Sequence, residues 1–340
     1  MKIAVIAKTR FPIAEPFTGG LESFTHTLCA EYKRRGHDVT LYAHKESDPT
    51  LNLKSFYGYD IRKSEFVDIY ENDEYLSILK DITDGSYDIV HNNSTSPLPI
   101  IWGAKATQPV VTTLHTPPYT ALKAATSLAS YSNNLKFVAV SKSLEKTWQP
   151  FLNNGSSVIY NGISLTSWPL QREDLRYVFW FGRITESKGL DIAIDAAHEI
   201  DLPIYFAGVI ADQMYYDTQI KPRLHRDDRY VGHLRQNELS EKMRHAAVFA
   251  CPPRWEEPFG LSTVEAMASG VPVAGYDRGA FRELVSLNSG VIADGTNVTS
   301  LAQAMRKAMM LKSDDVRQQA ELFPLRKTVE QYLRYFEELV

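Results

Sequence analysis

The chain has 340 residues, with 44% hydrophobic residues, 23% charged residues and a formal net charge of -4 at pH 7. This length favours two domains over one. The net negative charge argues against nucleic acid as a partner, because nucleic-acid binding usually needs a basic patch or a high isoelectric point. No apolar run approaches the roughly 20 residues of a membrane helix, so we expect no membrane span.

The start of the chain and its two cysteines bear on the cellular compartment. Only five consecutive apolar residues precede Lys8, whereas the apolar core of a signal peptide has about 7 to 15. Cys29 and Cys251 lie far apart in the chain, which is typical of small core residues in a reducing compartment. These features predict a cytoplasmic protein.

Short apolar runs alternate with helical patterns, which is typical of parallel sheets covered on both faces by helices. The predicted strands are, in chain order, KIAVIA, DVTLYA, DIVHN, PVVTTLH, FVAVS, SVIYN, YVFWFG, PIYFAG, RYVGH, VFACP, VPVAGY and SGVIAD. Between the first two strands, Leu21, Phe24, Leu28 and Tyr32 recur at helical spacing, which predicts a βαβ unit. We expect an α/β protein with two similar sheets in tandem and a domain change near residues 163–176.

In such sheets, ligands bind outside the carboxyl ends of the strands. A dinucleotide site would have the pattern G-x-G-x-x-G directly after the first strand, and this chain has AKTRFP there. A nicotinamide enzyme is therefore disfavoured. Gly19 and Gly20 follow in the turn FTGGLES, where a backbone without Cβ lets a ligand approach closely. Glu22, on the first turn of the next helix, is also explained as an ordinary helix-start acid.

The stretch FGRITESKGLD joins a strand that ends at Gly182 to a helix that begins at Leu190. Between them lie two cations, Arg183 and Lys188. Cations beside a helix N-terminus form an anion site, in which a guanidinium makes bidentate contacts with phosphate and a lysine acts as a point charge. A solvated surface is the alternative interpretation.

The stretch WEEPFGLSTVEAMASG, residues 255–270, places two acids around a Phe-Gly-Leu turn. Ser262 and Glu265 fit the pattern S-x-x-E, in which the serine caps a helix and the acid returns a hydrogen bond. Glu257 precedes Pro258 in irregular backbone, where an acid is tolerated near a helix N-terminus but has no structural duty. Glu257 is therefore the acid that most needs a functional explanation.

Two histidines lie at the ends of predicted strands, His91 in DIVHNNS and His115 in PVVTTLH. A lone histidine at a strand end is more often structural than catalytic. Its neutral imidazole can nevertheless accept or donate one hydrogen bond to a ligand hydroxyl. Both interpretations stay open for both residues.

A basic stretch covers residues 89–144, which contain no Asp or Glu but four lysines, Lys105, Lys123, Lys136 and Lys142. Such a stretch predicts a mildly basic solvated face, contact with a phosphorylated acceptor, or peripheral contact of the N-terminal domain with an anionic membrane surface.

The pieces TGGLES, DIVH, TLHTPP, VAVSKS, VIYNGIS, FGRITESKGLD, VGHL and EPFGLSTVEAMASGVPVA occur in this order along the chain. In that ordered set, over nearly its whole length, the chain resembles the family 4 glycosyltransferases. The resemblance implies the GT-B fold, in which two facing Rossmann-like domains enclose a cleft. It implies an acceptor-binding domain at residues 1–165, a nucleotide-sugar-binding domain at 166–322 and a C-terminal helix at 323–340 that crosses back to the first domain.

The resemblance also implies roles for single residues. Glu265 would bind the ribose hydroxyls of the donor, Glu257 the hydroxyls of the transferred sugar, and His115 would lie beside that sugar. Glu22 and His91 would face the acceptor. The other donor-binding residues would be Gly19, Gly20, Arg183, Lys188, Phe259, Gly260 and Leu261, and the catalytic group would comprise Glu257, His115, Arg183 and Lys188.

No Asp-x-Asp pair occurs in the chain, so the carboxylate pair with which many sugar transferases hold Mg²⁺ or Mn²⁺ is absent. The cysteines are solitary and the histidines scattered, which predicts no metal-ligand cluster. We therefore expect no metal cofactor and charge compensation by protein groups.

The activity implied by the resemblance is a hexosyl transfer from a nucleoside diphosphate sugar, UDP-linked, to an acceptor hydroxyl of a glycan, glycolipid or small molecule. The anomeric configuration would be retained, and a donor phosphate oxygen would take the acceptor proton. Two alternatives stay open, a sugar-nucleotide epimerase on the same fold and a non-catalytic nucleotide-sugar-binding protein.

Overall fold

The computed structural model describes residues 1–56, 65–129 and 131–340. The chain divides into two compact units: unit 1 comprises Met1–Tyr160 and Thr328–Val340, and unit 2 comprises Asn161–Lys327. The boundaries expected after residues 165 and 322 fall close to these two positions.

The sheet of unit 1 contains seven strands among the described residues. They are β1 (Lys2–Ile6), β2 (Asp38–Tyr42), β3 (Leu53–Lys54), β4 (Ile89–Asn92), β5 (Val110–Leu114), β6 (Leu135–Ala139) and β7 (Ser157–Val158). Their order is β3-β2-β1-β4-β5-β6-β7, and all neighbouring pairs are parallel. The two-residue edge strand β3 was not predicted, because Leu53 and Lys54 do not belong to a continuous apolar run.

The sheet of unit 2 contains six strands among the described residues. They are β8 (Tyr177–Phe181), β9 (Ile204–Ala207), β10 (Arg229–Tyr230), β11 (Ala246–Cys251), β12 (Val273–Gly275) and β13 (Gly290–Ile292). Their order is β10-β9-β8-β11-β12-β13, again all parallel. The prediction of two similar parallel sheets in tandem is confirmed.

Helices connect these strands. They are α1 (Gly20–Arg34), α2 (Val67–Asp84), α3 (Pro97–Gly103), α4 (Thr120–Ala129), α5 (Lys142–Trp148), α6 (Leu190–His198), α7 (Gln213–Tyr215), α8 (Gln236–Met243), α9 (Leu261–Ala268), α10 (Phe281–Leu284), α11 (Val298–Ala308), α12 (Ser313–Ala320) and α13 (Leu325–Glu337). In the part of the chain that the structure describes, no helix has the length and apolar character to cross a membrane.

The central strands are buried on both faces, which explains why they occur as continuous apolar runs in the sequence. In β1, Ile3 and Val5 lie on one face of the sheet and Ala4 lies on the other, and all three are fully buried. In unit 2, Ile194 of α6 and Met305 of α11 pack in one core cluster with strand residues.

Strand order reverses beside the first strand of each sheet. In unit 1 the chain leaves β1 toward β2 on one side and later places β4 on the other; in unit 2, β9 and β11 flank β8 in the same way. In doubly wound sheets the crevice for ligands lies outside the carboxyl ends of strands at this switch point. The fold therefore predicts ligand sites at the loops after β1 and β4 and at the loops after β8 and β11.

The C-terminal helix packs into the core of unit 1 around His91. The fully buried Tyr332 and Phe336 have ring centroids 4.8 and 5.2 Å from that of His91. The Nδ1 atom of His91 lies 3.3 Å from the Tyr32 hydroxyl, and its Nε2 atom lies 2.9 Å from Oγ1 of Thr113. The Thr113 hydroxyl is in turn 3.0 Å from that of Tyr332.

This position does not support the acceptor-side role expected for His91. The side chain has no exposed surface, both ring nitrogens have partners, and burial lowers the pKa of His91 to about 3, so the ring is neutral at pH 7. A residue in that position anchors α13 to the sheet instead.

We predict that Phe336→Ala lowers the free energy of unfolding by about 3 to 5 kcal/mol, because it leaves a cavity among buried rings. Arg334→Ala, on the exposed face of the same helix with 83% of its side chain accessible, should change it by less than about 0.5 kcal/mol. Urea denaturation measures both. Equal effects of the two variants would contradict this packing.

Candidate active site

The loops after β8 and β11 are joined to each other at the switch point of unit 2. The backbone amide of Arg254 donates to the carbonyl of Ser187 at 2.8 Å. Gly189 has a φ of +70°, and a Cβ at this position would lie 2.1 Å from the carbonyl oxygen of Pro252. Only glycine satisfies both the left-handed backbone and the close approach. The turn at residues 185–189 is therefore pressed against the loop at residues 252–260.

Two of the predicted site residues meet at this junction. Nζ of Lys188 lies 2.6 Å from Oε2 of Glu257, and the indole Nε1 of Trp255 donates to the same oxygen at 2.9 Å. The Lys188 ammonium also lies 4.9 Å from the ring centroid of Trp255. An ammonium has three donors, so Lys188 can contact Glu257 and an anionic ligand together. The sequence singled out both charges but not their contact or the indole.

An ion pair between a largely buried aspartate and a partly exposed arginine, which the sequence analysis missed, holds the same two loops. Arg254 donates from Nη1 and Nη2 to the two carboxylate oxygens of Asp191, at 2.8 and 2.6 Å. Tyr215 donates its hydroxyl to Asp191 at 2.7 Å, and Arg254 also donates to the carbonyl of Glu186 at 2.8 Å. Asp191 lies on the first turn of α6, so the pair connects this helix to the loop that carries Glu257.

The turn around Glu257 has a third attachment, to the loop after β12. The amide of Gly279 donates to Oε2 of Glu256 at 2.6 Å, and the amide of Ala280 donates to the carbonyl of Glu257 at 2.9 Å. These contacts fix the backbone on both sides of the Glu257 carboxylate.

The start of helix α9 is not the capping box that the pattern S-x-x-E predicts for Ser262 and Glu265. Its N-cap is Gly260, with φ +98° and ψ +59°, and no side chain caps the helix. Ser262 lies within the helix, so the interpretation of Ser262 and Glu265 as a capping pair is wrong. Leu261 is the first helical residue, and Phe259 packs its buried ring against Phe323 with centroids 5.9 Å apart.

Glu265 is buried without a partner. It has 7% of its surface exposed, and its carboxyl has no hydrogen-bond or ionic partner within the described ranges. Burial raises its pKa to about 8. A carboxyl in such a position is protonated at neutral pH until a ligand supplies donors that favour the carboxylate.

Arg183 lies just beyond β8 with its side chain exposed. Its guanidinium has no partner among residues 1–56, 65–129 and 131–340. The preceding Gly182 is in close contact with the next strand end, since a Cβ on Gly208 would lie 1.8 Å from the carbonyl oxygen of Gly182. The arginine therefore extends from a backbone that is closely packed against β9.

In unit 1 the predicted residue His115 contacts a residue that was not predicted. Its Nε2 atom lies 2.9 Å from Oδ1 of Asn93, and its ring packs against that of Phe24 at 5.7 Å. Burial lowers the pKa of His115 to about 3, so the imidazole is neutral at pH 7. Because the Asn93 oxygen accepts, Nε2 carries the proton and Nδ1 remains an acceptor.

The glycine turn begins α1 as expected. Gly19 is the N-cap with extended backbone and no side-chain cap, and Gly20 is the first helical residue and is exposed. Glu22 follows on the first turn, 5% exposed, and its carboxyl has no partner among the residues that the structure describes. The helix N-terminus thus keeps backbone N–H groups available, with a buried acid beside them.

Breaking the Arg254–Asp191 pair should destabilise unit 2. Removing one partner of a buried pair costs about 3 to 5 kcal/mol; since a third of Arg254 is exposed, we expect roughly 2 kcal/mol or more for Arg254→Ala. The double variant with Asp191→Ala should cost less than the sum of the single ones. Arg278→Ala breaks an exposed pair with Glu256 and is the control, at below about 1 kcal/mol. Additive effects in urea denaturation would argue against the coupling.

Two parallel, doubly wound sheets in tandem are the architecture of the GT-B fold. Residues 18–167 match the family model described as "Glycosyltransferase Family 4", and residues 167–321 match the one described as "Glycosyl transferases group 1". Together the two matches run from residue 18 to residue 321, and the chain belongs to the family 4 glycosyltransferases.

Curated relatives and solved structures agree with this family. The chain is 24% identical to a phosphatidyl-myo-inositol mannosyltransferase of Propionibacterium freudenreichii, over 92% of this chain and 86% of the relative. It is 32% identical to a glycogen synthase of Mycobacterium tuberculosis, over 45% of this chain and 39% of that protein. Among solved structures it resembles HepE of Anabaena in complex with UDP and glucose, with a TM-score of 0.80, 18% identity and 100% of both chains covered.

Proposed function

We propose that the protein transfers a sugar from a nucleoside diphosphate donor, UDP-linked, to an acceptor hydroxyl with retention of the anomeric configuration. The observation that carries this proposal is the junction at the switch point of unit 2, where Lys188, Glu257 and Trp255 contact one another beside the N-terminus of α6. A cation, a carboxylate and a helix terminus suit a diphosphate attached to a polyhydroxylated sugar. HepE, with its bound UDP and glucose, supports UDP as the carrier.

In this proposal unit 2 stabilises the leaving group. The nucleoside diphosphate gains negative charge as the sugar bond breaks, and groups that bind this charge more strongly in the transition state accelerate the reaction. Lys188 and the exposed Arg183 are the cations available in the loop after β8. Catalysis then depends on preorganised charges, without a metal at the diphosphate.

Glu257 and Glu265 have separate tasks in this scheme. Glu257 is held by Lys188, Trp255 and the backbone around it, so its second carboxylate oxygen can accept from sugar hydroxyls. Glu265 would accept from the two ribose hydroxyls, which are the hydrogen-bond donors that its buried carboxyl lacks.

In unit 1 we assign roles to His115 and to the glycine turn. The neutral imidazole of His115 has Nδ1 as an acceptor for a sugar hydroxyl, and Asn93 determines which nitrogen is free. Gly19 and Gly20 present backbone N–H groups at the start of α1. Glu22 beside them is the acid that we assign to the acceptor.

The names of the two relatives point to different molecules. One name contains phosphatidyl-myo-inositol and the other contains glycogen. The names agree on the class of reaction and not on the acceptor. We therefore define the acceptor only as a hydroxyl of a glycan, glycolipid or small molecule.

The function predicts that sugar transfer persists in excess EDTA and that Lys188→Ala lowers the rate about 100- to 1000-fold, the usual cost of one preorganised charge-stabilising donor. Lys221→Ala, which removes an exposed lysine paired with Asp217, is the control and should leave the rate unchanged. Donor consumption is measured by the release of free nucleotide, with and without acceptor.

Three outcomes would decide against parts of this function. Loss of activity in EDTA and its recovery with Mg²⁺ or Mn²⁺ would contradict the metal-free mechanism. Conversion of the donor to an isomer without release of nucleotide would identify an epimerase. Tight binding of the donor without either product would identify a nucleotide-sugar-binding protein.

The pKa of Glu265 predicts a pH dependence of nucleotide affinity. The free carboxyl is protonated below about pH 8, whereas ribose hydroxyls donate to the carboxylate and lower its pKa in the complex. Binding therefore releases a proton, and the affinity for UDP should rise with pH below 8, by up to about tenfold per unit, and level off above it. Calorimetric titrations at several pH values measure the slope.

Glu265→Gln should remove that slope, since a glutamine does not titrate. Glu241→Gln, at an exposed acid of the same unit paired with Arg244, should keep it. If the slope survived in Glu265→Gln, it would belong to the nucleotide phosphate, and our assignment of Glu265 to the ribose would be wrong.

A further inference from the structure

The amino-terminal edge of the sheet in unit 2 carries a cluster of two histidines and an acid, His198, His225 and Asp228. His198 ends α6, Asp228 directly precedes β10, and its Oδ1 atom accepts from the amide of Ile204, the first residue of β9. One ligand atom from each of the three side chains lies within 4.8 Å of the other two. Lys188 and Glu257 follow the carboxyl ends of strands, so this cluster lies at the opposite edge of the same sheet.

The cluster corrects the expectation that the histidines are too scattered to form a metal-ligand set. In the sequence His198 and His225 are separated by a strand and three short helical turns, and nothing in their local patterns relates them. The βα topology brings them together, because the end of α6 and the loop before β10 both return to the amino-terminal edge of the sheet.

Asp228 is the fixed member of the cluster. Only 1% of its side chain is exposed. Its Oδ2 atom accepts from the amide of His225 at 2.7 Å and lies 2.8 Å from Nε2 of His198. The two backbone amides fix the position of this carboxylate, and its Oδ2 atom and Nε2 of His198 face each other, so an ion between them could bind both.

The imidazoles of His198 and His225 supply the other two ligand atoms. The rings of His198 and His225 stack with centroids 3.6 Å apart and an angle of 5°. Parallel rings cannot both direct a lone pair at one ion, so one ring must turn. His225 is exposed, and rotation about its side-chain bonds moves its ring away from the stack without disturbing the core.

We propose that His198, His225 and Asp228 bind a divalent transition metal of the zinc type. Two imidazole nitrogens and one carboxylate oxygen with an open fourth position suit Zn²⁺, which imposes no geometry of its own, whereas Mg²⁺ requires an octahedron of oxygen ligands. On binding, the metal would take the place of the hydrogen bond between Nε2 of His198 and Oδ2 of Asp228, so that both atoms become ligands.

The bound metal would connect the end of α6 to the loop before β10. Its place at the amino-terminal edge separates it from the chemistry proposed above. A metal that binds only the folded chain raises the melting temperature as its concentration increases.

The test uses the full chain without an affinity tag, stripped of metal and titrated calorimetrically with ZnCl₂ and, separately, with MgCl₂. We expect one equivalent of Zn²⁺ to bind and Mg²⁺ not to bind. His225→Ala, at an exposed position, should weaken Zn²⁺ binding at least tenfold. Arg226→Ala, which alters the same loop but removes no ligand, should bind as the unmodified protein does.

Cobalt gives a second readout that does not depend on stability or activity. Co²⁺ at the site should show the visible absorption of a low-coordinate nitrogen and oxygen complex, and His198→Gln should abolish it. Absence of one-equivalent Zn²⁺ binding, or equal binding by His225→Ala and the unmodified protein, would overturn the proposal. Neither result would bear on sugar transfer, which is measured separately in EDTA.

Discussion

The geometry of the polar loops in unit 2 depends on one ion pair, between Arg254 and Asp191. The loops after β8 and β11 contain glycines and charged side chains, and polar contacts join them to each other in addition to the packing of Ile184 and Phe259. The bidentate contact joins the first turn of α6 to the loop after β11. Lys188 and Glu257 each lie three residues from a member of this pair, and their own contact follows from it.

Sequence reasoning predicted much of the fold, because parallel strands buried on both faces leave continuous apolar runs. It also singled out Lys188 and Glu257, since charges in glycine-containing loops after strands have few structural explanations, and the structure brings these two side chains into contact. It did not find Asp191, whose position on a helix resembles that of any first-turn acid, or Tyr215, which lies in a separate segment of unit 2. Such partners are defined only by long-range packing, on which local patterns carry no information.

Unit 1 illustrates the same limit with two neighbouring residues. His91 and Asn93 both lie at the end of β4, and the histidine attracted attention because of its chemistry. His91, within β4, is covered by α13 and contacts Thr113, whereas Asn93, just beyond the end of the strand, contacts His115. Local sequence does not distinguish the two surroundings, because the helix that covers His91 is more than two hundred residues away in the chain.

The last helix makes unit 1 discontinuous in the chain, and this affects how the protein folds during its synthesis. Domains generally fold as units while the ribosome extends the chain, the N-terminal domain first. Here Tyr332 and Phe336 occupy the core of unit 1, next to Tyr32 and His91. Residues 1–160 therefore leave the ribosome with an open apolar surface, which stays uncovered while all of unit 2 is synthesised. The unit that begins first is completed last.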